Sequence, residues 1–597
     1  MSFLTKRSCR IVFLTGLLTS VNVSGQTLGF LPLDQIMPGM IGTCKTTLKE
    51  VSIEEFQVEI LGVMEKIRPA RNLILCRFLG SEFKETGVFS GMSGSPVYIG
   101  GKLIGAVAFS FPFSKEPIAG ITPIHEMVEI FNKGSTRSQW SVPRSFSERS
   151  NNLGIQQEMS NLLPQTPVAF SHSGVRGHLE PILTPLSLSG FDPVTIRFFE
   201  KDVRSLGFLP ALGLLSSSDD FWNASVVPGA TLVAQLIRGD LQVGAAGTIT
   251  HVSGKRVYAF GHPFLGAGFT DIPMALGAVL TVIPSLSTGF KVTTVGDLVG
   301  SIKQDRDTGV LGFLGERARM LPVSIRLKTS RENVREINVE LVRGPFLTPL
   351  LANLVVFNSL LSSERSRGPQ AIRTAIQISV NGQPDVRYSR NSDTITEAAL
   401  TVGGVLDLLM NSGFSDVPVE KVQVDIQAVE EQKATKLEQV WVDKQKVKPG
   451  ENVKLKLVLR RENGKMLMQN YSFKVPKDLG DGPLEVLVGE GISFTRTLAA
   501  KNEAQIVPQT VDQLVRAIND LKKNDRIYIR LFRKEPGAVV AGEGMPLLPP
   551  SMLEIYRSER TSGASRPLEY VIYLETEFDE TDLVLEGAKT IHLVVKG

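Results

Sequence analysis

The sequence is poor in several residue types on which common functional sites depend. Its 597 residues include only three cysteines, three tryptophans and six histidines. The histidines show no HxxxH spacing and no pairing with carboxylates, so we expect no metal site and no cofactor. The sequence also contains no phosphate-binding loop and no dinucleotide-binding fingerprint. The formal net charge is only +4, which gives no reason to expect a nucleic-acid partner.

Long apolar runs are also scarce. The first run, 11–21, follows Lys6, Arg7 and Arg10 and precedes the small residues Val23-Ser24-Gly25. This pattern predicts a cleaved secretory signal peptide over 1–25, because the run is short for a membrane span. We therefore expect an exported protein with no integral membrane span after cleavage.

A later apolar run at 345–361 is of borderline length for a span. It carries Pro349, Asn353 and Asn358, which favour a buried or amphipathic helix.

The cysteine count leaves the redox state open. Cys9 lies in the predicted signal peptide, so Cys44 and Cys76 remain. Export permits a disulfide between these two residues. Two buried free thiols are the alternative, since the sequence does not give the distance between them.

The composition is that of a soluble globular protein, with 42% hydrophobic and 21% charged residues. At this length we expect three or four domains. Short apolar segments punctuated by glycine and proline predict a mostly β fold with some α. The predicted units are a signal peptide at 1–25, a first unit at 26–132, a linker at 133–162, a second unit at 163–345, an α+β region at 346–435 and a β-rich region at 436–597.

In the last region the alternation of charged and apolar residues over 448–459 is typical of a β-sandwich module.

The most informative stretch is the hexapeptide Gly91-Met92-Ser93-Gly94-Ser95-Pro96. Two short apolar strands follow it, 97–99 and 103–107. They are joined by Gly100-Gly101, a pair that two-residue hairpin turns prefer. A serine on a tight loop that leads into a β-hairpin is the predicted arrangement.

The hexapeptide is a poor match to the elbow of α/β-hydrolases, which needs Gly-x-Ser-x-Gly between a strand and a helix. It is a better match to the chymotrypsin-type Gly-x-Ser-Gly-[small]-Pro signature. In that signature Ser93 is the nucleophile, and the N–H groups of Ser93 and Gly91 form the oxyanion hole. The alternative is a glycine-rich turn that carries an ordinary exposed serine.

A second informative segment lies at 247–264. It predicts a hairpin with a Ser253-Gly254 turn, and His262 follows the second strand between a glycine and a proline. His251 lies on the opposite strand and is expected to be structural. His125, on a predicted helix over 124–132, is also expected to lie outside any site.

Together these segments resemble the SpoIVB-type (sporulation stage IV protein B) serine peptidases, a chymotrypsin-like family. The serine hexapeptide with its hairpin, Lys84-Glu85-Thr86-Gly87 before it, and the histidine segment carry this resemblance. It implies Ser93 as nucleophile and His262 as general base. The family has the histidine before the serine, so the resemblance implies two chymotrypsin-like β-barrel halves in swapped order. The serine barrel is expected in 26–132 and the histidine barrel in 163–345.

The acidic member of the triad is not evident. The stretch that corresponds to its usual position, 77–81, contains no acid. Glu82 and Glu85 are the nearest carboxylates, and Asp271, shortly after His262, is the candidate we select. An aspartate in a turn or cap is the alternative for Asp271. A Ser–His dyad, with the imidazole held by a backbone carbonyl, is a further alternative.

Two classes of function remain open. The first is an exported bacterial serine endopeptidase of the periplasm, the cell envelope or the medium, which acts on proteins, on peptides or on itself within 134–152. The second is an inactive relative that binds envelope proteins or polymers, with its C-terminal region making the contacts. Retention of Ser93 and His262 favours the enzyme, whereas the missing acid favours the scaffold. The bacterial origin rests on the resemblance alone.

Overall fold

The computed structural model describes residues 29–132, 179–213, 224–362, 370–500 and 508–597, apart from short gaps at 69–70, 82, 286–287, 331–333, 415–416, 541–542, 546–547 and 558–564. The predicted signal peptide and linker lie outside these residues. The fold is mostly β with some α, as the sequence predicts. The helices are a 3-10 turn (Leu33–Gln35), α1 (Phe83–Thr86), α2 (Ile124–Asn132), α3 (Pro193–Ser205), α4 (Leu347–Leu361), α5 (Ile395–Met410), α6 (Gly491–Ala500), α7 (Val511–Asn519) and α8 (Pro550–Arg557).

The strands fall into four sheets. In chain order they are β1 (Ile41–Lys49), β2 (Ser52–Arg68), β3 (Arg71–Leu79), β4 (Pro96–Ile99), β5 (Lys102–Ser110), β6 (Ile118–Pro123), β7 (Glu180–Pro181), β8 (Thr184–Ser189), β9 (Phe208–Leu212), β10 (Thr231–Gly239), β11 (Gln242–Ser253), β12 (Arg256–Ala259), β13 (Gly268–Ile283), β14 (Phe290–Arg306), β15 (Gly309–Leu314), β16 (Met320–Lys328), β17 (Val334–Val342), β18 (Ala371–Val380), β19 (Val386–Ser392), β20 (Val419–Val429), β21 (Ala434–Val442), β22 (Lys446–Val447), β23 (Asn452–Arg461), β24 (Met466–Lys474), β25 (Gly482–Glu490), β26 (Ile527–Val540), β27 (Glu543–Met545), β28 (Ser565–Glu577), β29 (Val584–Glu586) and β30 (Ala588–Val595).

The first barrel consists of six strands in the order β1-β2-β3-β6-β5-β4, and it closes because β4 also pairs with β1. The predicted hairpin is β4 and β5. Its turn residues Gly100 and Gly101 have φ of 56° and 78°, the left-handed pair that a type I′ turn requires. This barrel carries Ser93 on the loop that precedes β4.

The second barrel also has six strands, in the order β10-β13-β14-β15-β12-β11, and it closes because β11 pairs with β10. The predicted histidine hairpin is β11 and β12. Its turn is Gly254-Lys255 rather than Ser253-Gly254, because Ser253 still pairs with Arg256. His262 follows β12.

The two barrels are joined by backbone hydrogen bonds between short segments. The Glu50 amide donates to the Val279 carbonyl at 2.6 Å, and the Val279 amide donates back to Glu50 at 2.8 Å. The Thr47 hydroxyl donates to the Gly229 carbonyl at 3.0 Å. The barrels therefore meet along the edge that also carries the serine loop.

The sheet of the second barrel continues through β17, β16, β20, β18 and β19. The apolar run 345–361 forms α4, which is buried within the largest hydrophobic core, as one of the two predicted alternatives states. Asn358 on this helix accepts the Asp192 amide at the start of α3. None of the helices in the described ranges is both long and apolar enough to cross a membrane.

The C-terminal strands form two sheets that share one hydrophobic core, the arrangement of a β-sandwich. One sheet has the order β24-β23-β21-β29, and the other contains β22, β30, β25, β26, β27 and β28. The alternation over 448–459 arises from β23, whose inward residues Val453, Leu455 and Leu457 are buried.

The disulfide considered for Cys44 and Cys76 does not form, and both residues are buried free thiols. Cys44 lies on β1 and Cys76 on β3, with β2 between them. Strands two positions apart are separated by about 9–10 Å, which exceeds the roughly 7 Å Cα separation that a disulfide spans.

The thiol state is testable by titration with a thiol reagent in a Cys9→Ser background. We expect two reactive thiols per chain after unfolding without reductant, and very slow reaction of the folded protein. Burial raises the pKa of Cys76 to about 12 and raises that of Cys44 as well, so little thiolate is present in the fold. The matched variant with Cys44→Ser added should give one thiol. A count of zero that rises to two with reductant would show a disulfide instead.

Candidate active site

The serine loop, Ser90–Ser95, is shaped by two glycines in left-handed conformations. Gly91 has φ of +95° and Gly94 has φ of +96°. A Cβ atom at Gly94 would lie 2.0 Å from the Thr248 carbonyl oxygen and 2.6 Å from the Phe260 nitrogen. Glycine is therefore required because the loop lies directly against β11 and the end of β12.

Hydrogen bonds fix the first half of the serine loop to the start of β14. The Ser90 amide donates to the Gly289 carbonyl at 2.8 Å, and the Lys291 amide donates to the Ser90 carbonyl at 3.1 Å. The Gly91 carbonyl accepts the Thr248 hydroxyl at 3.1 Å.

The second half of the loop is fixed to β11. The Thr248 amide donates to the Ser93 carbonyl at 2.8 Å, and the Thr250 hydroxyl donates to the Gly94 carbonyl at 2.7 Å. The second barrel therefore holds the loop that the first barrel carries.

This anchoring also orients the two amides predicted for the oxyanion hole. In a trans peptide the C=O and N–H point in opposite directions. The Ser90 carbonyl is held by Lys291, and the Met92 carbonyl accepts the Ser95 amide at 2.9 Å. The N–H groups of Gly91 and Ser93 point away from these contacts, and neither donates a hydrogen bond within the described part of the chain.

His262 is delivered by a second left-handed turn. Phe260 and Gly261 have φ of 70° and 71°. A Cβ atom at Gly261 would lie 3.0 Å from the Ala106 side chain, and the Gly261 carbonyl accepts the Thr122 hydroxyl at 2.7 Å. The histidine segment of the second barrel therefore packs on β5 and β6 of the first.

The surroundings of His262 fix its tautomer. Its Nδ1 lies 2.8 Å from the Pro263 carbonyl oxygen, which only accepts, so Nδ1 carries the proton and Nε2 a free lone pair. Burial lowers the pKa of His262 to about 4, and the Pro263 carbonyl opposes this shift. At neutral pH the ring is uncharged, as a general base requires.

Ser93 and His262 are both buried, with 0% and 3% of their surface exposed. Ser93 Oγ and His262 Nε2 are buried atoms without a hydrogen-bond partner in the described residues, so the structure does not join them by a hydrogen bond. These two atoms belong to the predicted nucleophile and the predicted base. Because both residues are buried, a substrate cannot reach them in this arrangement of the barrels.

Asp271 makes its contacts elsewhere. Its carboxylate accepts the Ser301 hydroxyl at 2.9 Å, the Lys303 ammonium at 2.7 Å and the Arg319 amide at 2.9 Å. These hydrogen bonds lower its pKa against the opposing effect of burial. Its contacts therefore do not include His262, which is held by a backbone carbonyl instead. Of the other carboxylates considered, Glu82 and the Glu85 side chain lie outside the described residues.

Asp305, on β14, is a buried carboxylate that sequence reasoning missed. It is 1% exposed and accepts the amides of Phe264, Leu265 and Ala267 at 2.8, 2.7 and 3.1 Å. Burial raises its pKa to about 6, although these amides oppose the shift. The turn that follows His262 is thus wrapped around Asp305.

Lys291 is a second buried charge that sequence reasoning missed. It is 0% exposed, and its stem is the nearest contact of a Cβ placed on Gly91, at 3.0 Å. Its ammonium donates to the Thr46 hydroxyl at 2.9 Å, and Thr46 also accepts the Ser95 hydroxyl at 3.0 Å. A polar chain from both barrels therefore lies beneath the serine loop.

Two further observations concern metal ligands and the other histidines. No group of three or more histidine, cysteine, aspartate or glutamate residues in the described ranges is arranged to bind a metal ion. His125 and His251 flank the Phe30 ring, with ring centroids 5.5 and 5.3 Å away. Both rings therefore make aromatic contacts with a residue outside the serine loop.

The stability cost of Lys291 is testable with Lys291→Met. Burial lowers the pKa of Lys291 to about 7, below its usual value near 10.5. The unfolded chain therefore binds this proton more tightly, so this residue's contribution to stability rises with pH from about 7 to 10.5. At pH 7 the variant should gain about 2–4 kcal/mol in the free energy of unfolding, with a higher Tm by calorimetry. The gain should shrink at pH 8.5.

Lys303→Met is the matched control, because Lys303 is partly exposed and paired with Asp271. It should not raise the Tm at either pH. A lower Tm for Lys291→Met at pH 7 would show that the ammonium stabilises the fold.

Comparison with known proteins concerns the first barrel. Residues 27–127 match the family model described as SpoIVB peptidase S55. This segment contains the serine loop and ends before His262. No curated protein and no solved structure matches the chain. The resemblance predicted from the serine segment is confirmed over residues 27–127, and the family that this segment matches is one of serine peptidases.

Proposed function

We propose that this protein is an exported serine endopeptidase that hydrolyses protein or peptide substrates with Ser93 as nucleophile and His262 as general base. The observation that carries the proposal is the pair of unpartnered atoms, Ser93 Oγ and His262 Nε2, buried where the two barrels meet. Buried polar atoms almost always have partners, and exceptions such as Ser90 Oγ and His125 Nε2 also occur in the described residues. Ser93 Oγ and His262 Nε2 differ from these because they are the two groups that acyl transfer needs, and they lie on segments that pack against each other: a Cβ atom at Gly94 would lie 2.6 Å from the Phe260 nitrogen.

The chemistry follows from the two atoms. Ser93 Oγ bonds to the carbonyl carbon of the substrate while its proton moves to His262 Nε2. The C–N bond then breaks, and Nε2 gives that proton to the leaving amine, which leaves an acyl ester on Ser93. Water repeats these steps and releases the acid. The amides of Gly91 and Ser93 donate hydrogen bonds to the negative oxygen of each tetrahedral intermediate.

In this proposal His262 works without direct contact to a carboxylate. Its Nδ1 proton is donated to the Pro263 carbonyl, which holds the ring with Nε2 free to accept. This is the dyad considered from the sequence. The order of the serine and histidine segments, swapped relative to the family, is part of the proposal, because a triad is defined by geometry rather than chain order.

The reaction requires the barrels to separate at the serine loop. Ser93 is fully buried, so a substrate carbonyl reaches it only after the contacts of the loop with β11 open. We infer that the closed arrangement is a latent form.

Export and self-cleavage rest on the sequence. The charged and apolar segments before residue 26 support export. The polar stretch 134–152 supports a self-cleavage site between the two barrels. The C-terminal sandwich is the proposed contact region for envelope proteins.

A second candidate function is a catalytically inactive scaffold. The burial of Ser93 and the absence of a hydrogen bond between Ser93 Oγ and His262 Nε2 in the described structure favour it. Fold and family alone do not decide between the two candidates.

Labelling of the purified protein with a fluorophosphonate probe distinguishes the peptidase from the inactive scaffold. The probe forms a covalent bond with an activated serine, so we expect slow but complete labelling of the wild type. Ser93→Ala should abolish labelling. His262→Ala should slow it at least about 100-fold, because the general base is lost.

Ser324→Ala and His251→Gln are the matched controls and should label as the wild type does, since the Ser324 hydroxyl donates to Asn338 and the His251 ring packs on Phe30 and Tyr258. A folded wild type that shows no labelling, including after prolonged incubation, would favour the scaffold.

Self-cleavage is tested separately by the size of the purified chain. We expect the wild type to yield a fragment that begins within 134–152, and Ser93→Ala to remain uncut. N-terminal sequencing identifies the cut. The same fragment from Ser93→Ala would show that another protease makes it.

A further inference from the structure

The turn after His262 links that residue to a carboxylate through one peptide bond. The Pro263 carbonyl accepts the His262 Nδ1 proton at 2.8 Å. The amide of the same peptide, Phe264 N–H, donates to Asp305 Oδ1 at 2.8 Å. The peptide is trans, so its C=O and N–H point in opposite directions, towards His262 and Asp305 respectively.

We propose that Asp305 is a positioning residue for His262, acting through the Pro263–Phe264 peptide in place of a carboxylate in direct contact with the imidazole. This inference rests on the proposed role of His262 as general base. Asp305 touches no reacting atom, so its contribution is the orientation and polarisation of the group that holds the ring.

Orientation follows from the number of hydrogen bonds that Asp305 accepts. Oδ1 accepts Phe264, and Oδ2 accepts Leu265 and Ala267. Three amides on one carboxylate fix the plane of the Pro263–Phe264 peptide, and with it the direction of the Pro263 carbonyl. The Nδ1 proton and the free Nε2 lone pair of His262 then have one preferred orientation.

Polarisation follows from the charge. A carboxylate that accepts the peptide N–H draws electron density onto the carbonyl oxygen at the other end, and chains of hydrogen bonds strengthen one another in this way. The Pro263 carbonyl becomes a better acceptor, which stabilises the positive charge that His262 acquires when it takes the proton from Ser93.

Asp305 is not one half of a structural salt bridge within the described residues. No charged side chain in the described residues shares a hydrogen bond or ion pair with it. Its neighbour Arg306 packs over the Phe269 ring at 5.1 Å and donates to Gln304. A buried carboxylate without a cation is costly, as its raised pKa reflects, and the three turn amides are its compensation.

Asp271 is the competing candidate. It pairs with Lys303 and is about a quarter exposed, so its charge is neutralised and screened. If Asp305 positions His262, Asp305→Asn slows the reaction and Asp271→Asn does not. If Asp271 has that role, the two effects are reversed.

The test is Asp305→Asn, compared with Asp271→Asn, by the kinetics of fluorophosphonate inactivation. We expect the maximal inactivation rate to fall about 10- to 100-fold, less than the ~10⁴-fold loss known for a carboxylate in direct contact with the imidazole. The probe concentration at half-maximal rate should stay within about twofold, because Asp305 does not touch the probe. Asp240→Asn is the matched control, since that carboxylate also accepts a backbone amide, from Asn338 at 2.7 Å.

A spectroscopic readout separates positioning from folding. In ¹⁵N-histidine-labelled Ser93→Ala protein at pH 7, His262 should carry its proton on Nδ1. In Asp305→Asn with Ser93→Ala, a measurable fraction should carry it on Nε2. An unchanged tautomer together with unchanged inactivation kinetics overturns the inference, as does a loss that appears in Asp271→Asn instead.

If Asp305→Asn does not fold, a pH titration of the wild-type protein followed by NMR tests the inference. Its His262 Nδ1–H resonance should shift with the same midpoint as the ¹³C-carboxyl resonance of Asp305 when the pH is lowered, because protonation of Asp305 weakens the hold on the Pro263–Phe264 peptide. A Nδ1–H resonance that does not respond while the Asp305 carboxyl titrates overturns the inference. Failure of the proposed function is a different result: the wild type is then not labelled by the probe, while the tautomer measurements still test the link to Asp305.

Discussion

The capture of the serine loop by the second barrel is the constraint on which the rest of the site depends. The loop belongs to the first barrel, yet four of its carbonyl groups accept hydrogen bonds from β11 and β14. The bond to the Ser90 carbonyl turns the Gly91 amide away from β14, and a bond within the loop, from the Ser95 amide to the Met92 carbonyl, orients the Ser93 amide. The contacts with the second barrel also bury Ser93. A first barrel on its own would lack the groups that give this loop its shape, so the conformation of the proposed nucleophile, Ser93, depends on both barrels.

The sequence predicted those parts of the fold that are set by local signals. The hairpin around Gly100-Gly101, the helix α2 and the burial of α4 follow from turn chemistry and apolar patterning within about 15 residues. The serine loop was recognised because its glycines and small residues form a compact motif. The turn beside Ser253 was misplaced by one residue, an error at the level expected for element boundaries.

The parts that sequence reasoning missed depend on contacts between distant residues. Asp305 lies 41 residues after Phe264, whose amide it accepts, and it faces inward only because β14 pairs with β13 and β15. Asp271 was preferred because it is nearer to His262 in the chain. Lys291 looks like an ordinary lysine in an alternating strand, and its burial arises because the first barrel covers that face. No single-sequence signal reports which face of a strand a second barrel will cover.

In the proposed peptidase, the hydrogen bonds that hold the serine loop also set how often Ser93 meets a substrate. Five of them join the backbone of the loop to the second barrel, and each contributes about 0.5–1.5 kcal/mol. If opening the loop breaks them all, it costs on the order of 5 kcal/mol, which corresponds to an open population of roughly 10⁻³ to 10⁻⁴. The apparent rate of acylation falls to the same fraction of the rate that a permanently open loop would give. A ligand that binds the open arrangement preferentially would raise that rate a thousandfold or more without altering a single catalytic group.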